Sequence, residues 1–115
     1  PRALTDDVDA LLHRPETVVF IAEQAGEPCG YISGHIERDD RRVLPKKGVV
    51  EDWFVSDHAR SQGLGGRLLT RLLDHFRDMG CQVAESATWP FNENAREAHL
   101  AAGFSEVEVR FRRPL

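Results

Sequence analysis

The sequence predicts one α/β domain in which helices pack on a mixed β-sheet. Three observations support this fold class. Short β-branched and apolar runs recur along the chain, turn residues separate them, and two segments with helical spacing of apolar residues lie among the later runs. The chain has 115 residues, of which 41% are hydrophobic and 30% charged, so we expect a single domain over residues 1–115.

The first part of the chain predicts a short helix followed by two strands. Residues 4–13 carry apolar side chains on one side and three early aspartates, a pattern that favours a helix. Residues 17–22 are apolar and β-branched, which predicts a buried strand, and residues 29–37 return as a second strand after a turn at residues 25–28. Residues 39–48 are highly charged and are interpreted as a solvated loop.

The second part predicts two strand–helix units and a final strand. Residues 49–55 form the third strand, and leucines at helical spacing predict a helix from Leu64 to Phe76. The fourth strand follows at residues 82–88, so this unit should be a right-handed parallel crossover. An alanine-rich helix spans residues 93–102, and alternating apolar and charged residues predict a last strand over residues 104–111.

Composition argues against several classes of protein. Fifteen Lys and Arg against nineteen Asp and Glu give a formal net charge of −4, so a nucleic-acid partner is not expected. No apolar run reaches the roughly 20 residues that span a bilayer, so we expect no membrane partner. Cys29 and Cys81 form no CxxC pair and no disulfide framework, which predicts free thiols and a cytoplasmic location. The histidines lack metal-ligand spacing, so no metal is expected.

The glycine-rich turn at residues 60–67 is the stretch most informative about chemistry. Glycines lack a Cβ, so backbone N–H groups can converge on an anion at the positive end of the helix that follows. Arg60 and Arg67 flank the turn and add formal charge. A P-loop would need Lys-Ser or Lys-Thr after its last glycine, and a dinucleotide fingerprint would need glycine at Leu68, so both of these alternatives fail.

Residues 60–65 match the pattern [QR]-x-x-G-x-[GA], the pyrophosphate loop of the GNAT superfamily of acetyl-CoA-dependent N-acetyltransferases. A second family element, N-x-x-A-x-x-x-Y-x-x-x-G-F, is matched downstream by Asn92, Ala95, Gly103 and Phe104. His99 stands in the place of its tyrosine. The chain therefore resembles this superfamily over residues 17–111. The resemblance implies a mixed, mostly antiparallel central sheet flanked by helices, with the N-terminal strand and helix missing or shortened.

The resemblance also implies acetyl-CoA as co-substrate. The pyrophosphate would lie on backbone N–H groups of the glycine turn, and the pantetheine arm would pair along the third strand like an added strand. A backbone N–H near Val55 would polarise the thioester. Asn92 would contact the pantetheine arm or cap the helix that follows, and the two roles are compatible. The expected binding residues are Trp53, Phe54, Val55, Arg60, Ser61, Gln62, Gly63, Leu64, Gly65, Gly66, Arg67 and Asn92.

Acetyl transfer to an amine requires proton removal, because the pKa of an amine is about 10 in water. Glu51 and Asp52 resemble the acidic pair of family members that act on polyamines, diamines and amino sugars. Strand alternation would send their side chains to opposite faces, so one alone would reach the cleft, and we expect Glu51 to be the base. Glu85 is the second candidate. His99 is a candidate proton donor to the leaving sulfur, or else an ordinary polar residue.

The sequence thus predicts an enzyme that acetylates a primary amine of a small molecule such as a polyamine, diamine or amino sugar. Two alternatives remain. One is a non-catalytic acetyl-CoA-binding, regulatory module, and the other is an acetyltransferase of protein N-termini or lysines. A domain without its first strand would expose a sheet edge, so a homodimer is expected. Val107, Val109 and Phe111 of the last strand would contribute to its interface.

Overall fold

The computed structural model describes residues 9–14, 17–38, 46–60, 62–88 and 92–115, the first of these by its backbone alone. Over these residues the chain forms a five-stranded sheet in which the spatial order of the strands is their order in the sequence. The strands are β1 (Asp9–Arg14), β2 (Thr17–Gln24), β3 (Glu27–Arg38), β4 (Lys46–Val55) and β5 (Val83–Ser86). The helices are α1 (Leu64–Asp78) and α2 (Glu93–Ala101), with a short 3₁₀ helix at Asp57–Ala59.

The sheet is mixed and mostly antiparallel, as predicted. Strands β1 to β4 pair antiparallel with their neighbours, whereas β4 and β5 are parallel. A parallel pair needs a crossover connection, and α1 supplies it between β4 and β5. The predicted fold class and the strand–helix–strand unit are therefore confirmed.

The core lies between the sheet and α1. The buried stripe of α1 consists of Leu64, Leu68, Leu69, Leu72 and Phe76. Phe76 packs directly over two glycines of the sheet, since a Cβ at Gly34 would come within 2.7 Å of the Phe76 ring and one at Gly48 would overlap it. These glycines let the C-terminal part of the helix approach the strands closely. No helix of the described residues is long and apolar enough to cross a membrane.

The helix predicted for residues 4–13 is wrong in the part that the structure describes. Residues 9–14 form β1, which pairs antiparallel with β2 in a register that shifts between Ala10 and His13. Residues 1–8 lie outside the described residues. Pairing with a neighbouring strand outweighs a weak local helical pattern in so short a segment.

The strand predicted for residues 104–111 is also wrong, because the described chain has no regular secondary structure there. Its apolar side chains are open to solvent, with Val107 81%, Val109 75% and Phe111 94% exposed. Alternating apolar and charged residues form a strand only where the edge of another strand is available for pairing. This segment pairs with none of the described strands. Strand β4, in contrast, is longer than predicted. It begins at Lys46, because Lys46 pairs with Arg38 at the end of β3.

Candidate active site

Strand β4 contains a β-bulge at one of the predicted catalytic residues. The register pairs Asp52 with Ser33 and Val50 with Gly34, so Glu51 is the extra residue of β4. A bulge bends the strand and re-aims a side chain, and such irregularities are frequent beside active sites. The bulge makes Glu51 the point at which the geometry of β4 changes.

Strands β4 and β5 separate at the same place. Their parallel pairing ends at Val50 and Ser86, whereas β4 continues to Val55. The edge of β4 beyond the bulge is therefore no longer paired with β5. An open strand edge of this kind can bind an extended ligand through main-chain hydrogen bonds. It contains the three residues that the sequence predicted for the pantetheine arm: Trp53, Phe54 and Val55.

The prediction that Glu51 and Asp52 point to opposite faces of the sheet is wrong. It assumed unbroken alternation, which the bulge interrupts. Asp52 pairs with Ser33, which shares a face with His35 two residues later on β3. Glu51 reaches the same histidine, because its Oε2 lies 3.0 Å from His35 Nδ1. Both carboxylates therefore lie on one face, opposite the face that Gly34 presents to Phe76 and α1.

The N-terminus of α1 fits a pyrophosphate group. Gly63 is its N-cap with φ 78° and provides no capping side chain, and the first turn contains no acidic residue. The Arg67 N–H donates to Gly63 O at 3.1 Å, so the N–H groups of Leu64, Gly65 and Gly66 precede the hydrogen bonds of the helix. A Cβ at Gly66 would meet no atom of the described structure within 4 Å beyond its chain neighbours and the backbone of its own helix. Packing within the chain therefore does not require glycine at this position. The open space beside Gly66 is consistent with a turn that binds a ligand.

The other residues predicted to bind the co-substrate around this turn differ in their exposure and in their contacts. The side chain of Leu64 is buried, so this residue offers a ligand only its backbone. Arg60 Nε donates to Val55 O at 3.0 Å, and its guanidinium pairs with Asp57 at 3.0 Å, which directs it toward the end of β4. Gln62 accepts a hydrogen bond from Gln24 on β2. Arg67 is exposed, and Ser61 lies outside the described residues.

Trp53 connects the glycine turn to the second helix. Its indole N–H donates to Gly65 O at 3.0 Å, and its ring lies edge-on to His99 with centroids 5.5 Å apart. Phe54 is 47% exposed and its ring lies 6.0 Å from that of Tyr31. Trp53 is thus a packed, hydrogen-bonded residue, whereas Phe54 is open to a ligand.

His99 is held where β4 and β5 separate. Its Nδ1 lies 2.6 Å from Ala95 O, and a carbonyl oxygen only accepts, so Nδ1 carries a proton. Its Nε2 lies 2.7 Å from the Ser86 hydroxyl, at the last paired residue of β5. The ring of Phe104 packs against it as well, with centroids 5.4 Å apart. The structure therefore fixes the orientation of His99 and directs Nε2 toward the end of β5.

Asn92 caps α2, because its Oδ1 accepts from the Ala95 N–H at 3.1 Å. The capping role that the sequence allowed is therefore confirmed. Contact between Asn92 and a pantetheine arm stays a prediction.

The face that carries Glu51 and Asp52 also carries a chain of alternating charges. His35 Nε2 lies 3.0 Å from Glu37, and Lys47 Nζ lies 2.8 Å from Glu85 and 3.8 Å from Glu37. The Glu37 carboxylate raises the pKa of His35, burial opposes this, and Glu51 adds to the increase. Glu85 is paired with Lys47, which makes it a weaker candidate for the base than Glu51.

Sequence reasoning missed three residues of this region: His35, Lys47 and Ser86. His35 and Glu37 are two residues apart on a strand, and this spacing alone indicates that they share a face. Their approach to Glu51 depends on the register between β3 and β4, which no local pattern reveals. Lys47 was assigned to a loop, because its pairing with β3 and β5 is likewise non-local.

An amide-lined helix N-terminus beside an open strand edge suits a long ligand with a phosphate group, and the nearby carboxylate and histidine suit proton transfer. Together with the mixed sheet they define an acyl-CoA-dependent acyltransferase. The chain belongs to the acetyltransferase (GNAT) family, whose profile matches residues 1–104. The predicted family and enzyme class, an N-acetyltransferase, are confirmed.

Similar proteins support this assignment. The aminoglycoside N(6')-acetyltransferase type 1 of Klebsiella aerogenes is 35% identical over 105 residues, which cover 89% of this chain and 69% of the relative. The glucosamine 6-phosphate N-acetyltransferase 1 of Oryza sativa subsp. japonica is 38% identical over 66 residues, 56% of this chain and 40% of the relative. Both relatives are thus matched over part of their length.

Solved structures agree with the sequence relatives. The aminoglycoside N-acetyltransferase AAC(6')-Iy in complex with CoA matches with a TM-score of 0.77 and 26% identity, over 89% of this chain and 78% of that one. The same enzyme in complex with the bisubstrate analogue CoA-S-monomethyl-acetylneamine matches with a TM-score of 0.79 and 26% identity, over 89% and 71%.

Proposed function

We propose that this chain transfers the acetyl group of acetyl-CoA to a primary amine of a small amino sugar that carries several amines, as aminoglycosides do. The observation that carries this proposal is the position of Glu51 at the bulge, where β4 loses its pairing with β5 and presents an open edge. The relatives named for aminoglycosides and glucosamine 6-phosphate support the amino-sugar class.

The glycine turn and the edge of β4 would hold the co-substrate, which supplies an activated acetyl group as a thioester. The N–H groups of Leu64, Gly65 and Gly66 would bind the pyrophosphate at the positive end of α1. Residues 52–55 of β4 would bind the pantetheine arm by strand-like hydrogen bonds. CoA in the structure of AAC(6')-Iy supports this assignment.

Glu51 would accept the proton of the ammonium, after which the amine nitrogen forms a bond to the acetyl carbon as the carbon–sulfur bond breaks. His99, when both of its ring nitrogens carry a proton, would give the one on Nε2 to the departing sulfur, because Nε2 is directed to the end of β5 beside the bulge. A thiol with a pKa of about 8.5 also leaves as a thiolate, so His99 assists the step without being essential. Base and acid would thus act from opposite faces of the sheet at the opening between the two strands.

The charge of the acceptor face supports a cationic substrate. Among the residues that the structure describes, four carboxylates lie there with Lys47 and His35: Glu37, Glu51, Asp52 and Glu85. Their field would attract a molecule with several ammonium groups and orient one of them toward Glu51. A neutral or anionic acceptor gains nothing from this face.

Turnover with a panel of acceptors tests the proposal. Thiol release from acetyl-CoA would be measured with an aminoglycoside, glucosamine 6-phosphate, spermidine and a lysine-containing peptide, and the products identified by mass spectrometry. We expect the highest kcat/KM with the aminoglycoside. Preference for the peptide would favour a protein acetyltransferase. CoA binding by calorimetry without turnover of any amine would favour the non-catalytic module.

We further propose that the protein is a cytoplasmic homodimer. The free thiols of Cys29 and Cys81 support a reducing compartment. The exposed side chains of Val107, Val109 and Phe111 support association, because burying each would contribute about 1.5–3 kcal/mol.

The dimer is tested by replacing one apolar residue of the C-terminal segment. Light scattering of the unmodified chain at micromolar concentration should show a dimer, and Val109→Lys should shift it to a monomer by placing a charge in the interface. Glu108→Lys is the matched control, since it introduces the same residue at the neighbouring position, which is already charged. A monomer before any substitution would contradict the proposal.

A further inference from the structure

His35 lies between two carboxylates and contacts one with each ring nitrogen. Nε2 is 3.0 Å from Glu37 Oε2, and Nδ1 is 3.0 Å from Glu51 Oε2. A neutral imidazole has one N–H and one lone pair, so one carboxylate would face a lone pair. Only the doubly protonated ring presents a hydrogen to both. The two carboxylates therefore favour the imidazolium form of His35.

The contact with Glu51 is electrostatic rather than a formed hydrogen bond. Nδ1 is shielded from solvent and makes no hydrogen bond, although Glu51 Oε2 is within ion-pair distance. A small rotation of the Glu51 carboxylate would complete the bond. Glu51 is the extra residue of the bulge, so no residue of β3 stands opposite it in the register. His35 is thus the neighbour that determines where this carboxylate lies.

Charged groups on β3, β4 and β5 lie on the face of the sheet that carries His35. Glu37 lies on the same strand, Glu51 and Lys47 lie on β4, and Glu85 on β5 binds Lys47. On the other side, β2 presents Thr17, an uncharged residue, as the partner of His35. Two carboxylates contact His35, and the ammonium of Lys47 is itself paired with Glu85 and Glu37, so the balance of charge favours the protonated ring. The raised pKa of His35, caused first by the hydrogen bond with Glu37, agrees with this arrangement.

We propose that His35 is a positioning residue of the acetyl transfer, which as an imidazolium holds the Glu51 carboxylate at the bulge in the orientation that receives the acceptor's proton. The proposal rests on the proposed function, since it takes Glu51 to be the base. His35 does not touch the substrate, and it acts through Glu51 alone.

The proposal predicts a pH dependence with a defined sign. Below its raised pKa, His35 is charged and attracts Glu51. As the pH rises through that pKa, the ring loses a proton and Glu51 loses its partner. We therefore expect kcat/KM to fall on the alkaline side, even though the free amine becomes more abundant there. His35→Gln should lack this decline, since it has no proton to lose.

A double-mutant cycle tests whether His35 acts through Glu51. His35→Gln should lower kcat/KM about 10- to 100-fold, the usual effect of misplacing a reacting group, with CoA affinity unchanged. In a Glu51→Gln background the same substitution should change kcat/KM by about twofold or less, because the group that it positions has gone. His75→Gln on α1 is the matched control, and it should leave turnover unchanged.

Each outcome separates the two proposals. If Glu51→Gln lowers turnover but His35→Gln lowers it equally in both backgrounds, His35 has an independent structural role and the positioning proposal fails. If Glu51→Gln has no effect, the proposed base itself is wrong. The imidazole chemical shift of His35, measured by NMR, provides a test that does not depend on enzymatic activity. The proposal expects the ring to titrate at a higher pH than a free imidazole, with a lower midpoint in Glu51→Gln, and a midpoint no higher than that of a free imidazole would overturn it.

Discussion

Glu51→Gln should reduce turnover by about 10²- to 10⁴-fold, the usual contribution of a general base, and leave the affinity for CoA unchanged. The amide is nearly isosteric with the carboxylate, so the bulge should persist, but it cannot accept the proton of the ammonium. The groups that would bind CoA are backbone N–H groups of α1 and of β4 beyond the bulge, and the substitution removes none of them. The loss should shrink at high pH, where the amine is free without help. Steady-state kinetics across a pH series and calorimetry with CoA measure the two effects.

Asp52→Asn is the matched control for this prediction. Asp52 is the next residue and lies on the same face, but its carboxylate makes no ion pair or hydrogen bond with the residues that the structure describes. We expect a mild loss, limited to weaker attraction of a cationic acceptor. A severe loss at Asp52 with a mild one at Glu51 would exchange their roles. Full activity in both variants would make Glu85 or a water the base.

Gly66→Val should weaken the binding of CoA more than about tenfold, or about 1.4 kcal/mol. A Cβ at this position meets no described atom within 4 Å beyond its chain neighbours and the backbone of its own helix, so we expect the fold to be retained. The added methyl groups would instead occupy the space in front of the N–H groups of Leu64 and Gly65, where the pyrophosphate is proposed to lie. Calorimetry with CoA measures the affinity, and thermal unfolding checks that the fold is retained.

Thr70→Val is the control, because it places the same side chain one turn later on the exposed side of α1. It should leave CoA affinity unchanged. Gly63 is less suitable for this test, since its φ of 78° makes any substitution there strained with or without a ligand. Unchanged CoA affinity in a folded Gly66→Val variant would show that the pyrophosphate does not bind at this turn.

The sequence by itself determined the elements from β2 to α2 and the glycine turn that begins α1. These features depend on residues close together in the chain. The leucines of α1 repeat at helical spacing, the glycine-rich turn precedes the helix directly, and Asn92 caps α2 through a residue only three positions away. Local spacing therefore predicts such elements well, and it located the proposed pyrophosphate site.

Only the tertiary structure decided which side chains meet at the proposed acceptor site. The bulge at Glu51 arises from the register of β4 on β3, and it brings Glu51 to His35 across two strands. Residues 9–14 became a strand because β2 lies beside them, and residues 104–111 remained irregular because no described strand pairs with them. The pattern within a strand shows which residues alternate, whereas register and pairing depend on partners that are distant in the chain. One added residue in β4 was therefore enough to change the face to which the Glu51 carboxylate points.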